Sequence, residues 1–95
     1  MNLCFLMGKI ISEVEFDFVL NSKNISVASF KLKVGKDSNV IAKTYNEMAD
    51  WCYQKLVRND VVLIQGELNS NLEIIITTIE FIESKIPLQN SKNSI

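Results

Sequence analysis

Residues 25–45 read ISVASFKLKVGKDSNVIAKTY. From Ile25 to Val34, Phe30, Leu32 and Val34 fall on one side and Ser29, Lys31 and Lys33 on the other. That period of two belongs to a half-buried strand. Gly35-Lys36-Asp37-Ser38-Asn39 is a cluster of turn residues. A second run, Val40 to Tyr45, places Ile41, Lys43 and Tyr45 on one face and Val40, Ala42 and Thr44 on the other.

After Tyr45 the period changes. Thr44-Tyr45-Asn46-Glu47 fits a capping box, a hydroxyl followed three residues later by Glu. Tyr45, Met48, Ala49, Cys52, Tyr53 and Leu56 then recur at helical spacing. Arg58-Asn59-Asp60 is expected to end the helix, with an Asn able to take a left-handed cap. Upstream, Leu3 to Leu20 reads as one extended stretch interrupted around Gly8 to Glu13, where Gly8 suggests a bulge or tight bend. Its second half sets Phe16, Phe18 and Leu20 on one side against Glu15 and Asp17, with Phe16 and Phe18 expected in the core and base stacking as their alternative role. Asn21 to Asn24 is a turn. Downstream, Val61 to Leu68 is apolar enough to expect burial on both faces, with a bend at Gly66. Asn69-Ser70-Asn71 turns the chain into a last strand, Leu72 to Glu83.

The order is β-β-β-α-β-β. The expected class is all-β, a β-barrel with one helix, and five strands with a helix between the third and fourth is the OB-fold order. The domain is expected over 1–84, with residues 85–95 expected to be a flexible polar tail.

Composition limits the chemistry. The 95 residues are 47% hydrophobic, enough for a core, and the net charge of −1 argues against a globally basic duplex-coating protein. With no histidine, His-based acid/base catalysis and His-containing metal sites are excluded. Cys4 and Cys52 cannot build a zinc site alone and read as small apolar residues of a reducing compartment. The carboxylates are scattered, so no enzyme, metal or cofactor is expected. The N-terminal apolar run breaks at Gly8 and Lys9, too early for a secretory segment or a membrane span, so a cytoplasmic location is expected.

The ordered pieces resemble the bacterial single-stranded DNA-binding (SSB) proteins and their primosomal relatives over roughly residues 2–83. They are Asn2 through Gly8 followed by Lys9; Val27-Ala28-Ser29-Phe30-Lys31-Leu32-Lys33-Val34; Tyr45 leading to Met48-Ala49-Asp50; Asn59-Asp60-Val61 leading to Gly66-Glu67-Leu68; and Ile79-Glu80-Phe81-Ile82. The resemblance implies non-enzymatic binding of single-stranded DNA and a homodimer or homotetramer with the first strand as a pairing edge. It also implies replication proteins as possible partners. The chain departs from the family at Asn59, where Gly is usual, and at Asn39, where a stacking aromatic would be expected. Only Tyr45 falls on a base-stacking position. The loop between the last two strands is short, and the family's acidic partner-recruiting tip is not expected here.

Charge supports the same surface independently. Residues 31–43 hold Lys31, Lys33, Lys36 and Lys43 against Asp37, a net +3, whereas residues 61–83 carry −4. The positive block coincides with the strand pair that forms the ligand face of OB domains. Ammonium groups neutralise phosphates, and a tyrosine ring stacks a base. The expected nucleic-acid site is Lys31, Lys33, Lys36, Lys43 and Tyr45, with Lys9 beside it. Glu73, Glu80 and Glu83 read as a solvated acidic face. Trp51 lies off the apolar stripe, as a partner contact or a ring flat on the barrel wall. The alternative function is a degenerate OB-fold acting as a protein-interaction subunit of a replication or primosome-type assembly.

Overall fold

The two runs within residues 25–45 pair as an antiparallel hairpin, with Val27 opposite Tyr45 at one end and Val34 opposite Ser38 at the other. The computed structural model describes residues 3–19 and 24–83. The expected tail (85–95), Leu20 and the turn residues Asn21 to Lys23 lie outside them. The elements are β1 (Leu3–Ile10), β2 (Glu15–Phe18), β3 (Ser26–Val34), β4 (Ser38–Tyr45), α1 (Asn46–Lys55), β5 (Val61–Leu68) and β6 (Glu73–Glu83). Gly35 makes the hairpin turn at φ +68°, a left-handed conformation that suits glycine. Ser38 and Asn39, expected in the turn, extend β4 instead.

Neighbouring strands run β1-β5-β6-β4-β3-β2, and β1 also meets β3, which closes the barrel. All pairings are antiparallel except β4 with β6. The single first strand expected from sequence is two segments, so six strands appear where five were expected. Both segments flank β3. Ile10 lies opposite Leu32 and Glu15 opposite Ser29, so five steps along the first stretch match three along β3. The surplus residues form a corner, and the two segments act as one bent barrel strand. Ser12 holds that corner: Ile11 N–H donates to the Lys31 carbonyl at 3.0 Å, and Lys31 N–H donates to Ser12 Oγ at 2.8 Å.

The bend is therefore not at Gly8, whose pairing with Val62 is regular. Gly8 is needed for close approach: a Cβ there would sit 2.6 Å from the Lys33 carbonyl oxygen and 2.8 Å from Leu32 Cγ. Gly66 does face an irregularity. Gln65 pairs with Thr78 but Gly66 with Ile76, and the displaced Thr77 donates from Oγ1 to the Gln65 carbonyl at 3.0 Å.

Inward side chains of β3, β4, β5 and β6, among them Phe30, Leu32, Ala42, Ile64 and Ile74, meet Ala49, Cys52 and Leu56 of α1 in the core. Burial pushes the Cys52 thiol up to about 12, so it packs as an uncharged small residue. The capping box does not form, because Thr44 points into the barrel and is buried; Tyr45 is the N-cap and makes no side-chain bond to the helix. Asn46 enters the helix at φ +59°, which asparagine tolerates. The helix ends at Lys55, earlier than expected, although Asn59 does adopt φ +83°. Asp60 accepts the Val57 N–H at 3.0 Å, and Asn59 N–H donates to the Ile10 carbonyl at 2.7 Å, fastening this turn to β1.

Two burial expectations fail. Phe18 is 57% exposed and Phe16 half-buried, stacked on exposed Tyr53 at 4.8 Å, because β2 is an edge strand with only α1 over its inner side. The outer positions of β5, Val61 and Leu63, are only half-buried because no second layer of described residues covers them. Trp51 lies against the barrel, half-buried, its ring 5.7 Å from that of Phe81. No described helix is long and apolar enough to cross a membrane.

Candidate nucleic-acid interface

Alternation on β3 buries Ala28, Phe30 and Leu32 and turns Val27, Ser29, Lys31 and Lys33 outward. The register sets the outward residues in rows across the sheet. Lys33 lies between Lys9 on β1 and Asn39 on β4, Lys31 opposite Ile41, Ser29 between Glu15 and Lys43, and Val27 opposite Tyr45. Lys9, Lys31, Lys33, Lys43 and Tyr45 therefore share one outer face of three adjacent strands. Lys36 is exposed in the turn at the end of the hairpin. Among the described residues, the ammonium groups of Lys9, Lys31, Lys33 and Lys36 have no ion-pair partner.

Lys43 differs. Its Nζ lies 3.1 Å from Glu73 Oε2, with 28% and 20% of the two side chains exposed. Glu73 is itself held from the β5–β6 turn. Asn69 Nδ2 donates to Glu73 Oε1 at 3.0 Å, and Asn69 Oδ1 accepts the Glu73 N–H at 2.9 Å. The Asn69 amide and then Lys43 hold the Glu73 carboxyl below its ordinary range. Glu73, expected on a solvated acidic face, is thus a clamp on Lys43, one of the lysines expected in the site. Sequence distance concealed it, since it depends on the parallel pairing that puts Ile41 beside Glu73.

Tyr45 ends β4 and caps α1, with 38% of its surface exposed. It stands two rows from Lys31, at the opposite end of the face from Lys33 and Asn39. The face also has an acidic margin, Glu15 and Asp17 on β2. Between that margin and β4 lies a cleft of about 170 Å³, lined by Ser12, Glu13, Glu15, Ser29, Phe30, Lys31 and Ile41. Ser12, Ser29 and Ile41 carried no sequence signal for a site; the corner and the register bring them together.

Three solved structures are similar to this chain in fold. The SSB domain of a Synechococcus sp. protein superposes with a TM-score of 0.77 at 16% identity, over 84% of this chain and 94% of that domain. The fold is an SSB-like OB-fold. The single-stranded DNA binding protein of Thermus aquaticus gives 0.75 at 20% identity over 92% of this chain, and a deletion mutant of it 0.76 at 19% over 95%. This chain spans 42% and 45% of those two longer chains. No family model and no curated protein matches the sequence. The sequence resemblance and the fold therefore agree.

Proposed function

We propose that the chain binds single-stranded DNA without catalysis, through the outer face of β3 and β4. The observation that carries this reading is the set of ammonium groups without an ion-pair partner among the described residues: Lys9 and Lys33 side by side on β1 and β3, and Lys31 in the next row along β3. A flexible polyanion can lie along such a row, releasing counterions as it does. Tyr45 offers one ring to stack a base, and Lys36 extends the cationic track at the turn. With four unpaired lysines the logarithm of affinity should fall with the logarithm of salt at a slope of about −3, from roughly 0.7 per phosphate contact. Such a protein would serve replication, recombination or the maintenance of a mobile element.

The domain is also proposed to self-associate through β1. Leu3, Phe5 and Met7 alternate on its outer face at 49%, 63% and 59% exposure. From Phe5 to Gly8 its only strand partner among the described residues is β5. A second copy pairing edge to edge about a two-fold axis would cover both the edge and the apolar strip.

Fluorescence anisotropy of labelled oligo-dT and of a matching duplex, at low and moderate salt, tests the function. Salt-sensitive preference for the single strand is expected. No binding at micromolar protein in low salt would overturn it and favour a protein-interaction subunit.

A further inference from the structure

Three aromatic rings line up where the edge of the sheet meets the helix. Phe16 stacks on Tyr53 of α1 with 4.8 Å between centroids, and Phe18 meets Phe16 edge-on at 6.0 Å. Phe18 and Tyr53 are exposed. β2 is the last strand of the sheet, and no described strand pairs with its outer edge. Phe16 and Phe18 lie opposite Ala28 and Ser26, so they project from the side of β2 away from the lysines.

Two carboxylates stand beside the rings. Phe18 N–H donates to Asp17 Oδ1 at 2.7 Å, which holds the Asp17 carboxylate at the open edge. Ser26, directly opposite Phe18, has its Oγ 3.3 Å from both Asp50 Oδ1 and the Asn46 carbonyl, so Asp50 reaches the same end of the patch from α1. Both aspartates are exposed and have no ion-pair partner among the described residues. Their charges repel a phosphate. A cation is attracted twice, by the carboxylates and by the π faces of the rings.

One cation suits both attractions best. A guanidinium is planar, lies flat on an aromatic ring and forks onto a carboxylate, whereas an ammonium group is a compact, strongly hydrated point charge. The single arginine of this chain is Arg58, and its guanidinium already donates to the Ile11 carbonyl at 2.7 Å and lies 3.6 Å from Glu13. A second copy therefore has no uncommitted guanidinium to offer.

We propose that the Phe16–Phe18–Tyr53 patch docks an arginine-bearing extended segment of a different protein. The segment lies along the open edge of β2, with an arginine over the Phe18 and Tyr53 rings and its charge met by Asp17 and Asp50. This surface is separate from the lysines of β3 and does not depend on their reading as a DNA face.

The probe is a labelled peptide of alternating arginine and valine, with lysine and glutamate counterparts, titrated with the full chain and followed by anisotropy. The arginine peptide should bind at least about three-fold more tightly than the lysine one, and the glutamate one not at all. Phe18→Ala should weaken the arginine peptide about five-fold, and Phe18→Tyr hardly at all. Asp17→Asn/Asp50→Asn should weaken it and flatten its salt dependence, while Glu80→Gln on the far side of the barrel should not. Oligo-dT affinity and oligomeric mass should be the same for Phe18→Ala as for wild type. Equal affinity for the arginine and lysine peptides overturns the proposal, since that is bulk charge alone, as does no binding at millimolar peptide. A loss of oligo-dT affinity in Phe18→Ala would make the rings part of a nucleic-acid surface, and a fall in mass would give them to a second copy; either overturns it. So does a several-fold gain in peptide affinity on Lys85→Ala/Lys92→Ala, which would mean that the chain's own C-terminal segment occupies the patch.

Discussion

Two outer faces of one barrel, built by the same alternation, carry opposite chemistry. Inside, β3 and β5 are alike, with Phe30 and Leu32 on one and Val62 and Ile64 on the other. Outside, β3 presents Ser29, Lys31 and Lys33, whereas β1 and β5 present Leu3, Phe5, Met7 and Leu63. Inward positions fix the barrel; outward positions fix what the barrel touches. The faces meet at Lys9, the last outward residue of β1, which is paired with Lys33 on one side and Val61 on the other. One face is proposed to be wetted by a polyanion and the other dried by a second copy, so perturbing each should leave the other's readout in place.

The largest effect is expected on the apolar face. In a two-fold interface every substitution counts twice, and each large apolar side chain removed from water contributes about 1.5–3 kcal/mol. Phe5→Asp/Met7→Asp should convert a dimer to a monomer at micromolar concentration, read by light scattering. Affinity for oligo-dT per protomer should change by less than about three-fold, because neither residue lies among the lysines. A wild-type protein that is already monomeric at high concentration would break this half of the comparison.

Next comes the cationic face. Lys31→Glu/Lys33→Glu should weaken oligo-dT binding by a hundred-fold or so and flatten the salt slope by at least about 1.4, two contacts' worth. The oligomeric mass should stay unchanged. A mass change without loss of DNA binding would reverse the assignment of the two faces. Tyr45→Ala should cost about five- to ten-fold, near the lower end for one stacked base, and Tyr45→Phe almost nothing. Equal losses in both variants would make the hydroxyl, not the ring, the contact.

The two faces are not equally legible in the sequence. Alternation over residues 25–45 locates the lysines and the hairpin, and the change of period after Tyr45 locates the helix, because both are local patterns. The corner at Ser12 is not legible: it depends on a register surplus between two segments separated by a turn. Alternation alone puts Phe18 in the core, since nothing local says that β2 is an edge. Glu73 reads as solvated because its partner arrives through a parallel pairing thirty residues away in sequence. Local chemistry is readable, and long-range register is not.

The smallest predicted effect tests that last contact. Lys43 stands on the cationic face but is held by Glu73, so a phosphate reaching it must displace a carboxylate that Asn69 keeps in place. Glu73→Gln should release the ammonium group. Oligo-dT affinity should then rise roughly two-fold at low salt, with the slope steeper by about 0.7, one further contact. The same pair has a pH signature. Glu73's carboxyl is held below its ordinary value of 4.5 in the folded chain, so its contribution to stability is full above that value and fades as pH falls through the lower folded one. Wild type should therefore melt above Glu73→Gln at neutral pH, and the gap should close in acid. A gap that persists unchanged into acid would mean that the carboxylate's charge is irrelevant there, and that Lys43 is as available to phosphate as Lys31.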